Sequence, residues 1–133
     1  MTFYEQEVRR LRDLVYPRGE ISRQIMGVKL YIDEHFAERI ELSEMARRAM
    51  ISKFHFLRLF KLHYGLTPHQ YLTEVRLLEA KRLLIKGLAA SEVCAAVGFD
   101  SVSSFKGLFR QYWGRAPGSW KKSNFRDGLG GKL

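Results

Sequence analysis

Apolar residues recur at three- and four-residue spacing along nearly the whole chain, while period-two alternation and β-branched clusters are scarce. That pattern belongs to amphipathic helices and not to strands. It predicts a first helix over Phe3–Val15, with Val8, Leu11 and Val15 on one face and a stop at Pro17 and Gly19. A second stretch, Ile21–Phe36, carries the stripe Ile25, Val28, Ile32 and Phe36. Ser43 stands before a short helix, Glu44–Ala49, and Ser52 before a longer one, Lys53–Tyr64; both serines suit an N-cap. Gly65 closes the longer helix. Thr67 and Pro68 open the longest periodic segment, which runs to about Lys86. Its stripe drifts from Leu72 through Val75 and Leu78 (or Glu79) to Arg82, with Tyr71, Val75, Leu78 and Leu83 expected to cover it. Ser91 is expected to cap Glu92–Val97, and Ser101 to cap Val102–Trp113, which Gly114 and Pro117 stop. The tail beyond Trp120 is glycine-rich and expected to fray. The fold class is all-α.

The chain also repeats itself. Ser52–Pro68 laid over Ser101–Pro117, at an offset of 49, pairs Phe56 with Phe105, Leu59 with Leu108, Phe60 with Phe109, Lys61 with Arg110 and Tyr64 with Trp113. Gly65 meets Gly114 and Pro68 meets Pro117. Just upstream the offset is 48, so that Ser43-Glu-Met-Ala46 meets Ser91-Glu-Val-Cys94. The second copy therefore carries one extra residue in the turn between its helices. Each copy reads as short helix, tight turn, longer helix, the pattern of a helix-turn-helix. Small residues (Ala46, Ala49, Cys94, Ala95) let the two helices approach, and Gly98 suits the turn because it tolerates positive φ.

Charge narrows the partner. The 133 residues carry a net +9, but unevenly: residues 1–46 hold 7 basic and 9 acidic side chains, residues 47–133 hold 16 and 5. The densest run is Arg47, Arg48, Lys53, Arg58, Lys61, Arg76, Lys81, Arg82 and Lys86 against Glu74 and Glu79. A sustained excess of this kind fits a polyanion whose counterions it displaces, although charge alone does not choose between DNA, RNA and acidic lipid. A single cysteine, Cys94, leaves no disulfide framework. The histidines His35, His55, His63 and His69 lack metal-ligand spacing, and no paired carboxylates, phosphate loop or nucleophile motif appears. No catalytic role, metal or cofactor is expected. With no long apolar run and no signal pattern, the expectation is a soluble cytoplasmic protein without a membrane partner.

These residues resemble the DNA-binding domain of the AraC/XylS transcription regulators. The match is carried by Leu42-Ser-Glu-Met-Ala46, Ser52-Lys-Phe-His-Phe-Leu-Arg-Leu-Phe-Lys61, Gly65-Leu-Thr-Pro-His-Gln-Tyr-Leu72 and Ala80-Lys-Arg-Leu-Leu84. It continues through Ser91-Glu-Val93, Val97-Gly-Phe99, Ser104-Phe-Lys-Gly-Leu-Phe-Arg110 and Gly114-Arg-Ala-Pro117. The resemblance implies a seven-helix fold, two helix-turn-helix subdomains joined by a long linker helix. Here it would occupy residues 21–121: a first unit near 42–65, a linker near 67–86 and a second unit near 91–114. Residues 1–20 form an N-terminal extension and 122–133 a tail. With no room for an effector domain, the chain resembles the short stand-alone members. The implied role is a sequence-specific, nucleoid-associated transcription regulator, an activator in most of the family. Its partners would be double-stranded DNA and RNA polymerase. It would bind as a monomer, or as a dimer through the extension.

A linker of about 18 residues spans about 27 Å, suited to two reading helices in successive major-groove segments of an asymmetric site of about 20 base pairs. Phe56, Leu59 and Phe60 repeat as apolar positions and are assigned to the core, which turns Lys53, Phe54, Leu57, Arg58 and Lys61 outward. Arg58 is the best base-reading candidate, since a guanidinium pairs bidentately with guanine; its alternative is a phosphate contact or salt bridge. Phe54 and Leu57 either pack on thymine methyls and sugar or tuck against a neighbouring helix, and the resemblance favours the bases. Lys53 and Lys61 suit phosphates. In the second copy the equivalents are Val102, Ser103 and Lys106 at the bases and Arg110 at the backbone. Gly107 stands where the first copy has Arg58 and many family members have arginine. The first unit is therefore expected to supply most discrimination and the second mainly affinity, through Lys106, Arg110 and Ser103. His55 is read as packing or bonding a phosphate. The competing reading is a helical protein-interaction adaptor whose basic face does not read DNA sequence.

Overall fold

The computed structural model describes residues 2–15 and 19–120. Within them the chain forms α1 (Phe3–Val15), α2 (Glu20–His35), α3 (Leu42–Arg48), α4 (Lys53–Tyr64), α5 (Pro68–Ile85), α6 (Ala90–Ala96) and α7 (Val102–Trp113). A single 3-10 turn, Pro117–Trp120, follows, and no strand occurs among the described residues. The all-α expectation holds. The predicted stop at Pro17, the side chains of Leu11 and Val15, and the tail from residue 121 lie outside the described residues.

The helices gather into two compact units. The first holds α1, most of α2, α3 and α4. On α4, Phe56, Leu59 and Phe60 are fully buried, and the Phe56, Phe60 and Tyr64 rings follow one another with centroids 5.7 and 4.9 Å apart. Two polar links tie α2 to the helix-turn-helix. His63 Nδ1 lies 2.9 Å from the Leu59 carbonyl, which can only accept, so Nε2 is left to accept from the Ser22 hydroxyl at 3.1 Å. Tyr31 donates to Glu44 at 3.2 Å while the Arg48 guanidinium sits 3.6 Å over the Tyr31 ring.

The second unit holds the last turn of α2 with the loop to Ile40, then α5, α6, α7 and the 3-10 turn. Its core joins Leu77, Ala80 and Leu84 of α5 to Val93, Cys94 and Val97 and to Phe105 and Phe109 of α7. Tyr112 donates to Glu74 at 2.8 Å and the Trp113 indole to the Leu77 carbonyl at 3.0 Å. Lys81 lies between two indoles, 4.1 Å from Trp113 and 4.8 Å from Trp120.

The internal repeat is reproduced helix for helix. α3 and α6 have identical bounds at an offset of 48, and α4 and α7 at an offset of 49. The turn hydrogen bonds correspond as well: Met50 N–H to Arg47 O and Ile51 N–H to Ala46 O match Gly98 to Ala95 and Phe99 to Cys94. With Ile51 aligned to Phe99 and Ser52 to Ser101, the additional residue of the second copy is Asp100. The repeat also reaches one helix further than the sequence pattern suggests. Buried Ile25, Val28 and Ile32 of α2 have buried counterparts in Leu77, Ala80 and Leu84 of α5, each 52 residues later. Each of these bracing helices bonds the same position of the longer helix, Ser22 to His63 and Glu74 to Tyr112. The linker helix is thus also the brace of the second unit.

Four expectations need correction. Ser43 and Ser91 do not cap: Glu41 and Ala89 hold the extended N-cap conformation, without a side-chain cap bond, and the serines fall at the second helical position. A cap serine contributes only about 1 kcal/mol, less than burying the right face of a short helix, here Met45 with Ala46 and Val93 with Cys94. On α5 the covered face is Leu72, Leu77, Ala80 and Leu84, while Val75 is half-buried and Leu78 exposed, because this face must serve as a brace along its length. Ala95 is exposed, unlike Ala46, Ala49 and Cys94. Leu108 is 37% exposed where its partner Leu59 is 1% exposed, so the two copies differ in what covers that position.

Candidate nucleic-acid interface

The longer helix of each unit is fixed at both ends by the same chemistry. Ser52 Oγ accepts from the His55 N–H at 3.3 Å, and Ser101 Oγ from Ser104 at 3.2 Å. At the other end Gly65 (φ 76°) and Gly114 (φ 81°) adopt the left-handed conformation and donate to Lys61 and Arg110 carbonyls. With ends and buried face set, the remaining positions must look away from the core. Lys53, Leu57, Lys61, Phe54 and Arg58 sweep an arc of about 140° on α4 at about 100° per residue.

Each of the nine residues singled out by sequence lies on such an arc. Phe54 is 82% exposed, Lys53, Arg58 and Lys61 are exposed, and Leu57 is half-buried. On α7, Val102 is 39% exposed, and Ser103, Lys106 and Arg110 are exposed. The two sets are brought together within their own unit. His55, half-buried, is engaged with the protein itself.

The structure sorts the basic run, which the sequence could only count. Arg76 is structural: its Nε donates to the Phe36 carbonyl at 2.6 Å and its Nη2 to the Glu38 carbonyl at 2.9 Å, and burial lowers its pKa from the usual guanidinium value. Arg48 is stacked on Tyr31, Arg82 is paired with Glu79, and Lys81 is held between the tryptophans. Against this, Lys53, Arg58, Lys61, Lys106 and Arg110 form no ion pair among the described residues. Arg47, exposed in the last turn of α3, shares that condition and joins the candidate set. Its signal was its place in the basic run, indistinguishable there from Arg48. Neither α4 nor α7 has an acidic residue in its first turn, a condition α5 shares, whereas α1, α2, α3 and α6 each have one. Lys53 at the start of α4 opposes the helix dipole and costs local stability, yet it leaves that end receptive to an anion.

Gly107 occupies the position of Arg58 and meets nothing within 4 Å of where a Cβ would stand. Its absence of side chain is therefore not a packing requirement. Among the described residues no group of His, Cys, Asp and Glu side chains is placed to hold a metal ion, and no helix is long and apolar enough to cross a membrane.

Two copies of a capped reading helix, each braced in its own unit and presenting cations without ion pairs among the described residues, define a tandem helix-turn-helix protein of the DNA-binding type. A family described as a helix-turn-helix domain matches residues 45–123. The chain belongs to the AraC-type helix-turn-helix family of DNA-binding transcription regulators. It is 33% identical over 119 residues to the MmsAB operon regulatory protein of Pseudomonas aeruginosa, covering 89% of this chain and 38% of that protein. It is 33% identical over 88 residues to the transcriptional activator RhaS of Escherichia fergusonii, covering 65% and 32%. Its fold is similar to the DNA-binding domain of AdpA solved with a target DNA, at a TM-score of 0.73 and 30% identity, over 78% of this chain and 94% of that one. The chain spans 38% and 32% of the length of the two relatives.

Proposed function

We propose that this chain binds one asymmetric DNA site of about 20 base pairs, with α4 and α7 in successive major-groove segments, and activates transcription from it. The observation that carries this reading is the pair of outward arcs whose cations form no ion pair among the described residues. A cation left unpaired on a structured face is available to displace counterions from phosphate, and a guanidinium such as that of Arg58 can also take a guanine edge. Helix α5, at 18 residues, is about 27 Å long, against a groove repeat of about 34 Å. Activation is supported by the similarity to RhaS, a transcriptional activator. RNA polymerase is the partner that activation requires, and the cytoplasm, on the nucleoid, is the compartment where it meets DNA.

In this reading Arg58, Phe54 and Leu57 read bases and supply most of the discrimination. Val102, Ser103 and Lys106 contact bases more weakly, because Gly107 removes the arginine from the second arc. Lys53, Lys61 and Arg110 hold phosphates. The chain acts as a monomer on DNA, with the N-terminal extension available for pairing two chains.

The test is selection of bound duplexes from a random pool, followed by a salt-titrated mobility-shift assay on the enriched sequence. The expected result is an enriched site bound about 10³-fold or more above random DNA, with affinity falling steeply as salt rises. A shallow slope without an enriched sequence would favour the adaptor reading.

A further inference from the structure

We propose that the outer face of α2 is a pairing surface for a second copy of this chain, the two helices running antiparallel with Leu30 of each set over Gly27 of the other. Two of the large apolar side chains exposed among the described residues, Met26 at 52% and Leu30 at 49%, lie on this one helix. Arg23, Gly27, Leu30 and Glu34, all exposed, follow one another at intervals of four, three and four residues. At about 100° per residue that spacing confines them to a stripe about 60° wide, the seam of a helix pair. The stripe lies on the far side of α2 from Ile25, Val28 and Ile32, which fill the core, and Met26 flanks it.

The order of residues along the stripe selects a second copy as its occupant. Reversal about the midpoint, between Val28 and Lys29, exchanges Arg23 with Glu34 and Gly27 with Leu30, so the stripe is its own complement. An antiparallel pair sets the guanidinium of Arg23 beside the carboxylate of Glu34 at both ends and each leucine against bare backbone at the centre. A parallel pair would stack arginine on arginine and glutamate on glutamate. Gly27 meets nothing within 4 Å of where a Cβ would stand, which leaves room for the incoming leucine. Arg23 Nε donates to the Gly19 carbonyl at 2.9 Å, and neither Arg23 nor Glu34 forms an ion pair among the described residues. The bracing helix of the second unit satisfies the same stripe internally: 52 residues on stand Val75, Glu79 and Arg82, and Arg82 donates to Glu79 at 2.9 Å. Arg23 and Glu34, about 16 Å apart along their helix, are too distant to do the same. The seam faces away from the core that α2 shares with α4, so pairing leaves the reading arc of each first unit uncovered. Two such faces are smaller than a standard interface, and the pair forms at high local concentration, as between chains on neighbouring sites.

The experiment is sedimentation equilibrium of the full chain without DNA, over a wide range of protein concentration at low ionic strength, where exposed ion pairs are least screened. The unaltered chain, 15.5 kDa, is expected to rise toward twice that mass as concentration increases. Arg23→Glu and Glu34→Arg should each weaken self-association about tenfold or more, since either reversal puts like charges at both ends of the pair. An equimolar mixture of the two variants should associate as tightly as the unaltered chain, because each end then carries opposite charges; recovery in the mixture also shows that both variants are folded. A chain monomeric at every concentration, an association that ignores both reversals, or a mixture no tighter than its components overturns the proposal.

Discussion

Met50 and Gly98 occupy the same position of the repeated unit, and both are left-handed, at φ 62° and 96°. Only Gly98 is bound to that identity by packing, because a Cβ there would stand 2.7 Å from the Ala37 carbonyl oxygen. Met50 is 77% exposed and bears the left-handed strain without a steric reason to be glycine. Met50→Gly is therefore expected to raise stability by about 0.5–1 kcal/mol, and Gly98→Ala to lower it by about 2 kcal/mol or more. Urea unfolding of the two variants checks both signs.

The serines separate by geometry. Ser52→Ala and Ser101→Ala should each cost about 1 kcal/mol, since each removes a bond to a helix-start N–H. Ser43→Ala and Ser91→Ala, at exposed positions without a cap bond, should stay within about 0.5 kcal/mol of the parent in the same measurement.

Arg58→Ala should relax base discrimination in a binding scan over substituted sites, by about 1–3 kcal/mol at one position. Gly107→Ala should leave the preferred sequence unchanged and stabilise the helix by about 1 kcal/mol, as its Cβ enters open space. Equal loss of discrimination in both variants would contradict the unequal division of labour between the units.

Two cations from one basic run, Lys61 and Arg76, should behave oppositely. Lys61→Ala is expected to leave stability nearly unchanged and lower the salt slope of DNA binding by about 1. Arg76→Met should leave that slope unchanged and destabilise by about 2 kcal/mol, because two carbonyls of the 36–38 loop lose a charged donor. Paired unfolding and salt titrations separate the roles.

Cys94 is buried, and burial pushes its thiol pKa up, with Asp100 adding to the shift. Its Sγ lies 3.6 Å from the Phe99 carbonyl. The folded thiol holds its proton more tightly than the unfolded one, so its contribution is full below the ordinary thiol value of 9.0 and is lost as pH rises past it. At pH 8 a thiol-specific chromogenic reagent should react slowly with the native protein and promptly in urea; equal rates would show an accessible thiolate.

The helices, their repeat and the outward arcs were all legible in the sequence, because period, glycine stops and paired apolar positions are local and came twice. Ser52 and Ser101 could be identified as caps because each precedes a helix long enough to set its own register. Ser43 and Ser91 could not, since a seven-residue helix takes its register from what it buries. The drifting stripe of α5 hid its equivalence to α2: Leu77, Ala80 and Leu84 match Ile25, Val28 and Ile32 only once burial is known. Charge was the least legible quantity. The sequence summed Arg47, Arg48, Arg76 and Lys81 as equals, and a sum has no direction. Tertiary packing laid Arg48, Arg76 and Lys81 against rings and carbonyls of the protein and left Arg47 and the cations of α4 and α7 without such partners among the described residues. A local carboxylate can pair with an arginine, as Glu79 does with Arg82; the carbonyls and rings that hold Arg76, Arg48 and Lys81 come from distant sequence, and distance in sequence is what folding removes.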